Sequence, residues 1–329
     1  MSIPIQIFKI KQVDYEKLEK PKTSIVLCTF REHPKFELLY ESLSHQTLKN
    51  FELVIADYLC ETRRELIQKL SRKYGIPTVH VPRDKYGVKA FNVGIANSSG
   101  EYMIHINDAN YFHNRFIEKH LITAMNNFLS LGTRYFIYNI DFPIEKHLTA
   151  SIEIPENLDK DTSFLINQQS NGIKDYLHLN FGEHKLTSPQ DFRMLGLPPK
   201  FIIDNNYIIE AAPGWSYGGN ICGPTELFLK INGFDEAFDN GYGWSDCNLG
   251  VRAFNAGYKS YMNISNWSLE IHDNDHDSVY NLLPDYESKE ASNHNWKLYE
   301  EACDKKLTAV NPHMDLRKIR EETLKGNLK

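Results

Sequence analysis

The chain has 329 residues, 41% hydrophobic and 24% charged, enough for one large or two small domains around a sizeable core. Its net charge of −6 gives no global attraction to nucleic acid or anionic membranes. Five scattered cysteines (Cys28, Cys60, Cys222, Cys247, Cys303) without a C-x-x-C pair point away from a zinc site or a disulfide framework. The segment Met1–Lys9 lacks the apolar stretch and small-residue cleavage site of a secretory signal. No run approaches the roughly 18 apolar residues of a membrane span. The expectation is a cytoplasmic protein, in which the sequons at Asn97, Asn263 and Asn266 carry no weight.

Residues 1–22 read as an N-terminal extension. Ser24–Cys28 is a short apolar run, the mark of a buried strand, and a helix is expected from Lys35 to about His45. Glu52–Ala56 is a second strand, ending at Asp57. Thr62–Tyr74 is a helix with Gly75 as its stop, and Thr78–Val81 a third strand. A helix over Val88–Asn97, a strand over Glu101–Ile106, a helix over Phe116–Phe128 and a strand at Tyr135–Tyr138 continue the alternation. Such alternation predicts an α/β fold, with a mostly parallel sheet flanked by helices. Ligands in such sheets bind beyond the carboxyl ends of the strands. Thr29, Phe30, Arg31, Asp57 and Asp108 all fall there.

Residues 141–205 are polar and poorly periodic, and read as an insertion with some local structure. From 206 to 280 the pattern is compact again. Pro224–Leu229 reads as a helix with Pro in its first turn, and Asn232–Asp235 as a turn. Residues 281–329 form a helical tail, patterned at Trp296–Tyr299 and again over Asp315–Leu324.

The most informative stretch is Gly241-Tyr242-Gly243-Trp244-Ser245-Asp246, which follows Gly218-Gly219-Asn220 and Asn232-Gly233-Phe234-Asp235-Glu236. A carboxylate beside an aromatic, near a helix start and behind glycines, can accept a proton from a sugar hydroxyl. In the N-terminal half stand Thr29-Phe30-Arg31, Ser42-Leu43-Ser44-His45-Gln46, Phe51-Glu52-Leu53-Val54-Ile55-Ala56-Asp57, Lys89-Ala90-Phe91-Asn92-Val93-Gly94 and Asn107-Asp108-Ala109-Asn110. In this order the two halves resemble the GT-A glycosyltransferases of family 2, with a galactosyltransferase-type acceptor segment.

The resemblance implies a Rossmann-like GT-A fold with a nucleotide-sugar-binding half over 23–140 and an acceptor and catalytic half over 206–280. It implies that Thr29, Phe30 and Arg31 line a pyrimidine nucleotide, that Asp57 accepts from the base N3–H, and that Lys89 and Asn92 touch the ribose or diphosphate. The family often has Arg where Phe91 stands, so phosphate charge must come from elsewhere; Arg83 and Lys85 lie nearby. Asp108 and Asn110 fall at the metal-binding D-x-D, although Asn107-Asp108 competes for that register. A cation there, Mn²⁺ or Mg²⁺, would stabilise the diphosphate leaving group, and Asn110 in place of Asp weakens such a site. His272, or alternatively His276, is the implied additional ligand. Trp215, Gly218, Gly219, Tyr242, Trp244 and Ser245 are the candidate sugar contacts, and Asp246 is the implied base of an inverting transfer.

The expected activity is glycosyl transfer from a UDP-sugar to a hydroxyl of a glycan or glycoconjugate, with no nucleic-acid partner. The departures at Asn110 and Ser245 leave a second reading, a catalytically silent nucleotide-sugar or glycan-binding module. A nucleotidyltransferase is disfavoured, because Thr29–Pro34 contains no glycine to cradle phosphates. The remaining histidines, His105 among them, read as structural.

Overall fold

Ile25 and Leu27 have no exposed surface and Val26 only 2%, so both faces of the strand they occupy are covered. The computed structural model describes residues 22–31, 34–83, 87–138, 151–153, 178–181, 184–187, 201–203, 206–216, 218–241, 243–272 and 289–326. Strand β1 (Thr23–Thr29) lies between β2 (Phe51–Asp57) and β4 (Tyr102–Ile106), and β3 (Thr78–Pro82) flanks β2, all parallel. Ile25, Leu27, Leu53, Ile55, Ile104 and Ile106 form one face of this core. They pack with apolar residues of α1 (Phe36–Ser44), α2 (Cys60–Tyr74) and α4 (Phe116–Ala124). Val26, Val54 and Met103 belong to the opposite face, with α3 (Lys89–Asn97), α5 (Thr225–Lys230) and α6 (Ser245–Asn255). Two buried faces explain why these runs are continuously apolar rather than alternating. Each buried Ile or Leu contributes about 1.5–3 kcal/mol.

The second half completes the sheet in the order β10-β11-β13-β6-β12-β4-β1-β2-β3. Strand β12 (Asn220–Pro224) runs antiparallel between β4 and β6 (Leu129–Tyr138). The long β13 (Ser260–His272) is parallel to β6, with an irregularity between Asn263 and Trp267. β5 (Asn110–Phe112) and β11 (Asn206–Ala211) pair antiparallel with β13, and β10 (Phe201–Ile203) forms the edge. This is the α/β architecture of a mixed open sheet flanked by helices. β7 (Ser151–Glu153), β8 (His178–Phe181) and β9 (His184–Thr187) form a separate antiparallel sheet.

Some boundaries differ from the pattern reading. Helix α4 ends at Ala124 rather than Phe128, because Asn127 takes a left-handed φ of 61° that turns the chain into β6. Gly75 ends α2 as expected, with φ 65° and its N–H on the Ser71 carbonyl. The tail forms α7 (Lys289–Asp304) and α8 (Leu316–Leu324), the latter capped by Asp315 accepting from the Lys318 N–H. Asn263 and Asn266 are fully buried, so their sequons cannot carry a glycan on the folded chain. Among the described residues, no helix is long and apolar enough to cross a membrane.

Candidate active site

Helix α6 starts behind two consecutive left-handed residues, Gly243 (φ 89°) and Trp244 (φ 68°). A left-handed Trp is uncommon and costs conformational energy. Its ring is held by Trp296 and Tyr299 of α7, with centroids at 4.4 and 5.4 Å. This turn delivers Asp246 into the first turn of the helix. One carboxylate oxygen of Asp246 accepts from the Cys247 N–H at 2.9 Å, and the other accepts from the Gly218 N–H. Gly219 has φ 92°, and a Cβ there would lie 2.4 Å from the Asn107 amide nitrogen, so the position requires glycine. Asp246 faces a cavity of about 510 Å³, whose wall also includes Gly218, Trp244 and Ser245. Phe91, His105, Asn107 and Arg134 line the same cavity.

The carboxyl ends of β1, β2 and β4 carry a second cluster. Thr29 Oγ1 donates to Asp108 Oδ2 at 2.6 Å, and Arg31 Nε pairs with Asp108 Oδ1 at 3.0 Å. Burial pushes the Asp108 carboxyl up, against the pull of Arg31 and Thr29. Asp57 is fully buried and holds Arg63 Nη1 at 2.9 Å and His80 Nε2 at 3.0 Å. It also accepts from the Leu59 N–H at 2.8 Å. Arg63 donates in turn to the Arg31 carbonyl, which ties the β1 and β2 ends together. The guanidinium of Arg83 lies 5.8 Å from the Phe30 ring centroid.

Residues 24–183 match the model of the family described as Glycosyl transferase family 2. A crystal structure of Staphylococcus aureus TarS 1–349 in complex with UDP aligns with 92% of this chain and 70% of its own, at 13% identity and a TM-score of 0.52. The crystal structure of GalNAc-T7 with UDP, GalNAc and Mn²⁺ aligns with 94% of this chain and 55% of its own, at 12% identity and a TM-score of 0.55. The fold is that of these GT-A glycosyltransferases, and the family 2 likeness lies in residues 24–183. The chain spans 43% of a longer S. aureus TarS structure, at 13% identity and a TM-score of 0.50. No curated protein sequence matches the chain significantly.

In this GT-A chain several expected contacts take other roles. Asn92 is buried and spends its carboxamide on Phe234, donating to its carbonyl at 3.0 Å and accepting from its N–H at 2.8 Å. In the structure it clamps the Asn232–Asp235 turn. Lys89 stands 4.0 Å from Asp239, whose carboxylate also accepts from the Val88 and Lys89 N–H groups at the start of α3. Trp215 is 1% exposed and belongs to the core, so it is not a sugar platform. Tyr242 and His276, like Lys85, lie outside the described residues, and of His272 only the backbone, ending β13, is described.

The D-x-D pair does not fit a divalent cation. Both Asp108 oxygens are engaged, by Arg31 and by Thr29. Asn110 is fully buried, and its carbonyl oxygen accepts from the Asn107 N–H at 3.1 Å. Among the described residues, no three His, Cys, Asp or Glu side chains gather as a metal set.

Pattern reading missed Arg134, Glu270 and Arg63, and treated His105 as structural. Arg134 lines the cavity and pairs with Glu270 at 3.3 Å. The His105 ring packs edge-on against Phe91 and Phe234, with centroids at 4.0 and 5.4 Å. Burial and the nearby Arg134 push its pKa down to about 3, so it is neutral. The signal in the sequence was a lone polar residue inside an apolar strand, which a buried structural histidine produces equally well.

Proposed function

We propose that the chain transfers a sugar from a UDP-sugar to a hydroxyl of a glycan or glycoconjugate, inverting the anomeric carbon. The observation that carries this reading is Asp246, fixed by two backbone N–H groups in the wall of a cavity large enough for a sugar. In the proposed step the acceptor oxygen bonds to the anomeric carbon as the bond from that carbon to the diphosphate oxygen breaks. The electron pair leaves with the nucleoside diphosphate, and the acceptor proton passes to Asp246. A fixed carboxylate needs no reorganisation when that proton arrives. Trp244 and Ser245 line the same cavity and are the proposed acceptor contacts.

The donor nucleotide is placed beyond β1 and β2, against Thr29, Phe30 and Arg31. There Asp57 fixes Arg63 and His80 at the base end rather than presenting a free carboxylate. The TarS and GalNAc-T7 structures both contain UDP, which supports the pyrimidine. The test is calorimetric titration with UDP and GDP, followed by a screen of UDP-sugars for transfer or slow hydrolysis. UDP is expected to bind more tightly than GDP, and Asp57→Ala to weaken it. Equal or tighter GDP binding would remove the pyrimidine assignment. UDP binding without any turnover would favour the silent module.

A further inference from the structure

The turn from Asn107 to Asn110 lies between two ion pairs. On one side Asp108 holds Arg31, and on the other Glu270, opposite Asn110 in the β13–β5 register, holds Arg134. His105 at the end of β4, Asn107 and Arg134 line one cavity, and Glu270 faces Asn110 across the β13–β5 register, so both pairs flank the same turn. Arg31 and Arg134 keep 25% and 17% of their side-chain surface, whereas their carboxylate partners keep 7% each. The outward-facing charge of this cluster is therefore cationic. A carboxylate that already balances a guanidinium, with its second oxygen on Thr29, is a poor competitor for a hydrated divalent ion. The planar fork of N–H donors on a guanidinium matches the geometry of phosphate oxygens.

We propose that the guanidinium groups of Arg31 and Arg134, in place of a divalent cation, bind the diphosphate of the donor and stabilise it as it leaves. The inference rests on the nucleotide-sugar reading of this site. Glu270 and Asp108 are positioning residues, which aim the two forks and prevent them from folding back. Arg31 approaches from the nucleotide side and Arg134 from the cavity that contains Asp246. The diphosphate would thus bridge the base end and the reacting end of the site.

The test is titration of the full chain with UDP and with uridine, in chelator and in excess Mn²⁺, with uridine read by NMR so that weak binding is seen. UDP affinity in chelator and in Mn²⁺ is expected to agree within about twofold. Arg134→Met is expected to weaken UDP by about tenfold or more while uridine changes by less than about twofold, and Arg31→Met to weaken UDP by about fivefold or more beyond any loss of uridine. Should Arg134→Met fail to fold, Arg134→Lys retains a charge for Glu270 and gives the same comparison with a smaller UDP loss. Equal weakening of UDP and uridine would mean a structural role and overturn the proposal. A gain of about tenfold or more on adding Mn²⁺ to the native chain would overturn it and leave the nucleotide-sugar reading standing. Absence of UDP binding in both conditions would overturn both.

Discussion

Asp246 accepts two backbone hydrogen bonds, one at each oxygen, and that limits what its amide can replace. In Asp246→Asn one of the two N–H groups meets the side-chain NH₂ instead of an oxygen. The variant should lose about 1–2 kcal/mol of stability for that mismatch. Turnover should fall by about 10²-fold or more, the scale of losing a general base. UDP affinity should stay near native, because the residue faces the acceptor side. Turnover, melting temperature and UDP affinity measured together separate the two effects. Near-native turnover would remove Asp246 as the base. This residue was readable because a Trp-x-Asp string after paired glycines is an ordered local pattern. Arg134 was not, since an arginine in a strand acquires meaning only through Glu270, 136 residues away.

The turn Asn232–Asp235 joins more elements than its length suggests. Asn232 donates to the carbonyls of Val310, Asn311 and Met314 and accepts from the Leu316 N–H, which docks the tail. Buried Arg252 donates to the carbonyls of Ile231 and Gly233 from α6, and Asn92 closes the turn from α3. Asn92→Ala leaves the Phe234 N–H buried without its acceptor, and should cost about 2–4 kcal/mol. If Asn92 is only a clamp, UDP affinity per folded molecule will not change. A denaturant melt and a UDP titration on one preparation decide this, and a large selective loss of UDP affinity would restore the nucleotide-contact reading. Elements with continuous apolar runs, β1, β2 and β4, were legible for the physical reason that both their faces are buried. β13 was not, apart from its strand-like end before His272, because its buried positions include Asn263, Ser265, Asn266 and Ser268. Those polar groups are tolerated through partners such as Asn220, which donates to the Asn266 carbonyl and Ser268 hydroxyl. No local periodicity records such partners.

At the scale of the whole molecule, three histidines among the described residues, His105, His113 and His120, are buried. His120 lies between Ser130 Oγ at 3.0 Å and Asn220 Oδ1 at 2.7 Å, and His113 reaches Asn266 Oδ1 at 2.9 Å. Burial, opposed by the Asn220 bond, pushes His120 down to about 3. Burial also holds His113 well below the usual histidine range, and His105 lies at about 3. Each folded value is depressed, so the unfolded chain binds the proton first. Stability is then full above the unfolded pKa of about 6.5 and is lost as pH falls towards about 3. Each histidine removes up to about 1.4 kcal/mol per pH unit in that window. At pH 5 each has cost about 2 kcal/mol, so three together approach the size of a typical folding free energy. Asp108 and Asp239, raised mainly by burial, have the opposite sign, since their folded carboxyls take up protons more readily. Their contribution opposes that of the histidines as pH falls. Urea melts between pH 7.5 and 5 should therefore show falling stability before any carboxylate titrates in the unfolded chain. His120→Gln should reduce the slope by about a third, whatever it does to the absolute value, because one of three linked protons is gone. A native chain equally stable at pH 7 and pH 5, or an unchanged slope in the variant, would show that these histidines do not carry the acid sensitivity of the fold.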